Sequence, residues 1–303
     1  MEQQRGFRLG VMFDRGLPPE DLVPFAQDVE QWGADDLWVV EDLTWAGSIA
    51  SAATVLAATT RLRVGIGLAP AALRNPALLA MELATLARLH PGRLAAGIGH
   101  GVQEWMKQAG ADVASPMTLL EETVLAVRSM LHGERVTVHG REVTLEDVGL
   151  VHPPYVVPPV LVGAVGPRTL RLAGRVADGS ILVEGLDADE VGAGRALVED
   201  GRQKGADGGA AAPHEVVAFV FAHVSRDEQA VKKAIGPMAE STSGFIGKSP
   251  AEVFFAAGPG EQVALDLEAI HRAGADTIAV HLVGEDQRGQ ARAVLAALNG
   301  RPS

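Results

Sequence analysis

From residue 7 to the C-terminal helix, short unbroken apolar runs alternate with amphipathic helical stretches. The apolar runs fall at 7–13, 37–40, 62–68, 93–98, 160–163, 180–183, 216–224 and 277–282. Continuous apolar runs of this length suit parallel strands buried on both faces. Between them the helical period is readable. Leu22, Phe25, Ala26, Val29 and Trp32 share one face, with Pro18 and Pro19 before it and Gly33 after it. Leu120, Val124, Val127 and Leu131 do the same behind Ser115-Pro116, an N-cap and first-turn pair. Eight β/α units predict a closed (β/α)8 TIM barrel, one domain over 1–303.

Three stretches depart from the rhythm. ERVTVHGREVTL, within 133–158, reads as a β-hairpin excursion turning at His139-Gly140, with a Pro-rich return. A Gly/Ala-rich link is expected at 205–212. Residues 235–260, with several Gly, Ser and Pro, are expected to form a loop insertion. The competing architecture is a doubly wound open sheet. The Gly-rich GIGHG after the fourth run spaces Gly97, Gly99 and Gly101 as G-x-G-x-G, with Val102 next. The dinucleotide fingerprint G-x-G-x-x-G, expected after a first strand, is therefore absent.

Composition narrows the function classes. The net charge of −12 argues against a nucleic-acid or anionic-membrane surface. There is no cysteine, which removes disulfides, thiolate nucleophiles and thiolate-bound metals. The N-terminal stretch MEQQRGFRLGVMFD carries no apolar segment of signal length, and no apolar run approaches ~20 residues. The expected setting is cytoplasmic. The nine histidines include no pair at i, i+3 or i+4 and no H-E-x-x-H, so no metal site is expected. A G-x-S-x-G nucleophile elbow is missing. Met81 and Met117 fall in helical patterns and are expected in the core.

Three segments, in order and at matching spacing, resemble the bacterial luciferase-like family, in its F420-dependent, tetrahydromethanopterin reductase-like branch. They are LWVVEDLTW at 37–45, RLRVGIGLAPAALRNPALLAMELATLARLHPGRLAAGIGHG at 61–101 and VLVGAVGPRTLRLAGRVADGSIL at 160–182. The resemblance implies reduced FMN or the deazaflavin coenzyme F420 at the C-terminal mouth of the barrel. It also implies a homodimer through the helices at 48–60 and 76–90, whose small side chains permit close packing.

The third segment has a physical reading beside the resemblance. VGAVGP leaves a strand and meets Pro167 at a helical first turn, where unpaired N–H groups and the helix dipole favour an anion. Gly163, Ala164, Val165 and Gly166, with Arg168 and Thr169 nearby, are the expected phosphate cradle. Gly166 would be strained by a β-branched residue if it needs a positive φ. The bland alternative is a strand-to-helix turn that needs glycine for packing.

Other roles come from the resemblance alone. Gly67-Leu68 matches a position where the family often has a non-prolyl cis peptide behind the flavin ring, and Pro70 follows it. His100, Gly101 and Val102 line the ring edge. Val102 stands where the sugar-phosphate dehydrogenase branch has a proton-transferring glutamate, and Glu104 lies two residues on. Deazaflavin enzymes commonly end strand two with Asp-His, the histidine being a catalytic acid/base. Here the pair is Glu41-Asp42. Glu41 would face the coenzyme. Asp42 would take the catalytic position, and a carboxyl in a partly apolar pocket can act as an acid near neutral pH. Asp14, Trp45 and Glu104 are expected on the substrate side. Asp42 as a cap or arginine partner, His100 as a structural histidine and Trp45 as a rim packing group are the plainer alternatives.

The leading expectation is hydride transfer between F420 and a small organic substrate. An FMN-dependent two-component monooxygenase is the alternative on the same fold. The departures at Asp42 and Val102 motivate a third, a flavin-binding barrel without turnover.

Overall fold

The computed structural model describes residues 6–205 and 213–300. Eight parallel strands close into a barrel: β1 (Arg8–Met12), β2 (Asp36–Val39), β3 (Arg63–Pro70), β4 (Leu94–Gly99), β7 (Val160–Ala164), β8 (Gly179–Leu182), β9 (Glu215–Val224) and β11 (Thr277–Leu282). The hydrogen-bonded order is β9-β11-β1-β2-β3-β4-β7-β8, and β8 pairs back onto β9 to complete the ring. Flanking helices include α1 (Leu22–Gln31), α2 (Ser48–Ala58), α3 (Pro76–Leu89), α4 (Gln103–Gln108), α5 (Pro116–Leu131), α6 (Pro167–Val176), α7 (Ala188–Gly205), α9 (Gly260–Arg272) and α10 (Gln287–Asn299). The apolar helix faces bury against the outward-pointing strand residues in one continuous core. This is a (β/α)8 TIM barrel.

Alternate strand residues point inward, and they fill the barrel in layers. The bottom layer is ionic. Arg63 donates to Asp36 Oδ2 at 2.7 Å and to Glu215 Oε1 at 2.6 Å, and Thr277 Oγ1 donates to Glu215 at 2.6 Å. Arg8 reaches Asp36 as well. Burial works against the Arg63 charge, but the Glu215 and Asp36 carboxylates outweigh it and hold the guanidinium above its ordinary pKa. The middle layer is apolar: Met12, Trp38, Ala95, Leu161, Ile181, Val217, Phe219 and Ala279. Trp38 is fully buried there because Gly65 opposite it has no side chain; a Cβ would sit 2.3 Å from the indole.

The hairpin excursion forms as expected, from β5 (Val136–His139) and β6 (Thr144–Val148). Its turn is fastened by Glu122 of α5, whose carboxylate accepts from the backbone N–H groups of Arg141, Glu142 and Val143 at 2.8, 3.0 and 2.7 Å. The link expected at 205–212 lies, apart from Gly205, outside the described residues.

Two expectations need correction. The stretch at 235–260 is not mainly a loop: α8 (Glu228–Ile246) occupies its first half, and β10 (Ala256–Gly258) pairs with the end of β9. The Asp227 carboxylate caps α8 through the N–H of Gln229 at 2.8 Å, and Gly247, at φ +72°, ends it. Pro237 lies inside that helix, and the internal apolar face of Ile235, Met238, Ala239 and Ile246 outweighs its missing N–H. Met81 is the second correction. It is 56% exposed on the outer face of α3, while Met117 does pack against the core. At the start of α5, Ser115 occupies the N-cap, but its hydroxyl pairs with Thr118 Oγ1 at 2.8 Å and leaves the backbone uncapped.

Candidate active site

Above the Trp38 layer, the inward residues at the C-terminal mouth divide into two unlike halves. On one side lies an apolar floor. Leu68 projects into space left by Gly97, Gly99 and Gly163; a Cβ on Gly163 would lie 2.1 Å from Leu68 Cδ1. The Gly67-Leu68 peptide is cis, as the resemblance implied. Gly163, on β7 just before the turn expected to cradle a phosphate, makes room for Leu68. That turn follows immediately. Gly166 is the N-cap of α6 at φ −100°, ψ 161°, no side chain caps the helix, and the space beyond the Gly166 Cα is open. Gly166 therefore needs no positive φ, and the condition under which a β-branched residue would strain the turn is not met. Val165 is exposed beside it, and Arg168 is exposed on the first turn.

His100 stands behind this turn. Its Nδ1 lies 3.2 Å from the Pro116 carbonyl and its Nε2 3.3 Å from Thr169 Oγ1. A carbonyl only accepts, so Nδ1 carries the hydrogen and Nε2 accepts from the Thr169 hydroxyl. Burial lowers the His100 pKa, with the Pro116 bond opposing weakly, and the ring is neutral. The Thr169 hydroxyl is thus committed to His100, leaving its backbone N–H for an anion. Gly101 takes φ +71° where the chain bends toward Pro70, a conformation that requires glycine. Val102 is the N-cap of α4, and Glu104 is exposed on that helix.

The opposite half of the mouth is polar. Asp14 follows β1, His281 lies on β11 and Glu184 follows β8. His281 donates from Nε2 to Asp14 Oδ2 and from Nδ1 to Glu184 Oε1, both at 3.0 Å. Burial would depress the imidazole, but these two hydrogen bonds and the carboxylate charges raise its pKa to about 9. Asp14 responds in kind. Burial works to raise it, yet the His281 bond and the Gly16 N–H at 2.6 Å hold it below the ordinary aspartate value. The cluster therefore stores one proton between two carboxylates. The Phe221 ring packs on His281 at 5.1 Å, and Phe255 stacks on Phe221, also at 5.1 Å.

The strand-two residues Asp42 and Trp45 stand beside Arg15, on the Asp14 side of the mouth. Asp42 forms an ion pair with Arg15, and the Arg15 guanidinium lies 5.5 Å from the Trp45 ring centroid. Trp45 is 49% exposed and closes a tight turn through its N–H to the Asp42 carbonyl, with Thr44 at φ +76°. Glu41 faces elsewhere: its carboxylate takes Arg74 and both the N–H and hydroxyl of Ser48, joining the α2 N-terminus to the segment before α3. The expected residues Asp14, Asp42 and Trp45 are thus brought to one side, and Leu68, His100, Gly166, Arg168 and Thr169 to the other. Glu41 is engaged in a structural bridge.

Sequence reasoning missed His281, Glu184, Arg15 and Phe221. His281 had a signal. Thr277, Ala279 and His281 alternate on the inward face, and the last of an inward series reaches the C-terminal mouth. Glu184 had none, because its role depends on where the β8 loop turns. Among the described residues no group of three or more His, Asp or Glu side chains is arranged to hold a metal ion, the Asp14–His281–Glu184 cluster included, and no helix is long and apolar enough to cross a membrane.

Comparison with known proteins agrees with this architecture. The family profile described as Luciferase-like monooxygenase matches residues 6–295. The chain is 29% identical over 224 residues to a 5,10-methylenetetrahydromethanopterin reductase of Methanolobus tindarius, covering 74% of this chain and 67% of that protein. It is 34% identical over 185 residues to an F420-dependent glucose-6-phosphate dehydrogenase of Kineococcus radiotolerans, covering 56% of this chain and 54% of that one. Against a solved F420-dependent secondary alcohol dehydrogenase in complex with an F420-acetone adduct, the TM-score is 0.84 at 19% identity, covering 96% of this chain and 99% of the other. At that identity the likeness establishes the fold. With its closed barrel and a profile match over nearly its whole length, the chain belongs to the luciferase-like monooxygenase family.

Proposed function

We propose that this protein is an oxidoreductase that transfers a hydride between the deazaflavin coenzyme F420 and a small organic substrate. The observation that carries the reading is the two-sided mouth. A flat apolar floor at Leu68 adjoins an uncapped helix N-terminus at Gly166, and a proton-bearing cluster at His281 faces them. The fit to a phosphorylated aromatic coenzyme rests on the open space at Gly166 and the uncommitted N–H groups of the first α6 turn. The glucose-6-phosphate dehydrogenase relative, F420-dependent by its name, supports the choice of coenzyme.

When bound, the coenzyme supplies or accepts the hydride. The chain's own residues do the rest. The backbone N–H groups of Arg168 and Thr169 hold the phosphate, with the Arg168 side chain adding a screened charge. His100 fixes Thr169 from behind. Leu68 would support the ring, and Gly101 and Val102 would border its edge. The Asp14–His281–Glu184 cluster as a unit holds the proton that a carbonyl oxygen needs as it is reduced, and takes one back when an alcohol is oxidised. Asp14 and Glu184 orient the imidazole and keep it charged. Asp42, the position the resemblance gives to an acid/base, is held by Arg15 and acts with Trp45 as a wall of the substrate side. The proton role passes to β11, the second strand round the ring from β2.

Titration of the coenzyme-free protein with F420 and FMN side by side tests the reading. We expect micromolar binding of F420. Binding of FMN alone would move the protein to the monooxygenase alternative, and binding of neither would end both. The proposal includes a cytoplasmic setting and a homodimer. Support for the dimer comes from the outer face of α3, where Leu78, Met81 and Leu89 are 48%, 56% and 68% exposed.

A further inference from the structure

We propose that Lys248 is a positioning residue for proton transfer: from the segment after α8 it holds the turn at Gly185, and through that turn keeps the Glu184 carboxylate on His281. Its catalytic meaning rests on the hydride-transfer reading. The two carboxylates of the cluster are anchored in unlike ways. Asp14 is fixed locally, because its Oδ1 accepts the Gly16 N–H at 2.6 Å while its Oδ2 takes His281. The Glu184 carboxylate accepts from His281 Nδ1 at 3.0 Å and, among the described residues, from no other donor. Its place is therefore set by its backbone. β8 ends two residues earlier, at Leu182, so the sheet ladder does not reach it. The turn is fastened instead at the Gly185 carbonyl, which accepts from Lys248 Nζ at 2.9 Å and from the Phe254 N–H at 3.1 Å.

Lys248 is itself held on every side. Its side chain is 13% exposed, and its ammonium donates to the Gly185 carbonyl, the Glu190 carboxylate and, at 3.3 Å, the Glu252 carbonyl. Glu190 is locked at the start of α7, where its carboxylate accepts the Asp187 N–H at 2.8 Å and its own N–H donates to Asp187 Oδ1 at 2.9 Å. The Lys248 backbone N–H closes α8 on the Ser243 carbonyl at 2.9 Å, and Ser249 and Glu252 cap each other just beyond. The turn fits this contact closely. Gly185 stands at φ +86°, and a Cβ there would lie 2.9 Å from Ile246 Cδ1 and 3.0 Å from Val253 Cγ1.

The charged groups about His281 are Asp14 and Glu184, with Arg15 next in the chain to Asp14 and paired with Asp42. Those about Lys248 are Glu190, Asp187 and Glu252, whose carboxylate is turned to Ser249. Lys248 thus has two opposed effects on the imidazole. As a cation it disfavours the protonated ring, so losing its charge alone would raise the midpoint of titration. As the anchor of Glu184 it favours the protonated ring, so losing its hold lowers that midpoint. The sign of the change separates the two.

The test is a pH titration of the His281 imidazole resonances in the coenzyme-free full chain. It compares wild type, Lys248→Met, Glu184→Gln and the double variant, with circular dichroism confirming that each is folded. Lys248→Met should lower the midpoint by about one pH unit from its wild-type value near 9. In the Glu184→Gln background the same substitution should lower it no further, because no carboxylate remains to be placed. Lys248→Gln, with a shorter neutral chain, is the second variant if Lys248→Met does not fold, and the same fall is expected. An unchanged or higher midpoint, or a fall that adds in full to that of Glu184→Gln, would overturn the proposal. F420 titration of the wild type is read separately. Absence of binding there would end the hydride-transfer reading and leave the Lys248 result standing, so the two failures are distinct.

Discussion

His281 on β11 and Asp14 after β1 meet across neighbouring strands, with Nε2 and Oδ2 3.0 Å apart, and Glu184 closes the other side of the ring at the same distance. The imidazole consequently titrates at about 9 in the folded protein. A histidine raised above its unfolded value of about 6.5 contributes stability that is full below that pH and lost as pH rises through about 9. Wild-type thermal stability should fall across this window relative to His281→Gln, by on the order of 3 kcal/mol at most. The imidazole resonances should titrate with a midpoint near 9. In Glu184→Gln that midpoint should move back toward the ordinary value. A midpoint near 6.5 in the wild type would mean that the cluster does not hold its proton.

Gly163→Ala places a methyl 2.1 Å from Leu68 Cδ1, and the Gly97 and Gly99 backbones bound the same space. The expected cost is about 1–3 kcal/mol in chemical denaturation. Leu68→Ala should relieve most of that cost, so the double variant should be markedly less destabilised than the two single effects added together. Additive losses would show that Leu68 does not fill the glycine space.

Gly166→Val behaves differently. At φ −100° with open space beyond, valine fits the free protein, and circular dichroism and thermal stability should stay near wild type. Coenzyme affinity should nonetheless drop roughly tenfold or more as the phosphate loses one or two charge-assisted bonds. Arg168→Ala should cost less, and that loss should shrink at high salt. A folded Gly166→Val with unchanged affinity would place the phosphate elsewhere.

At the far end of the barrel, Arg63→Met removes the cation shared by Asp36 and Glu215. Glu215 then loses its cation and Asp36 keeps only the half-exposed Arg8, which should destabilise the fold by about 2–4 kcal/mol. At a temperature where the variant is folded, coenzyme affinity should match wild type. A large loss of affinity without loss of stability would contradict the division between an ionic base and a reactive mouth.

The dimer proposal is checked by Met81→Glu, at a side chain 56% exposed on α3. Light scattering should show wild-type dimers and a weakened or monomeric variant. A wild-type monomer at high micromolar concentration would remove the proposal.

The barrel itself was legible because buried parallel strands write themselves as apolar runs, and all eight were placed within a few residues. The turn into α6 was legible for the same local reason: Pro167 after glycine marks a helix start. What escaped was long-range. Nothing near Asp42 announces that Arg15, in a loop after another strand, takes its carboxylate. Nothing near Glu184 announces His281, 97 positions away. The α8 segment was misread because Gly236, Pro237 and Gly244 weigh against a helix locally, while the cap at Asp227 and the apolar face toward Phe221 act through tertiary packing.

The path of the chain around α8 has a consequence for how such a protein can change. β9 runs for 10 residues, pairing with β8 at one end and β11 along its middle; beyond its last residues the chain leaves as α8 and returns as β10, alongside Ala222–Val224 of the same strand. The excursion therefore begins and ends on a single strand. It can be lengthened, shortened or exchanged without shifting the register of any pair in the closed ring. In this chain the α8 half of the apolar cluster behind His281, Ile235, Met238, Ala239 and Ile246, belongs to that excursion, and it can be rewritten while Phe221 and the β3, β4 and β7 side of the mouth stay as they are.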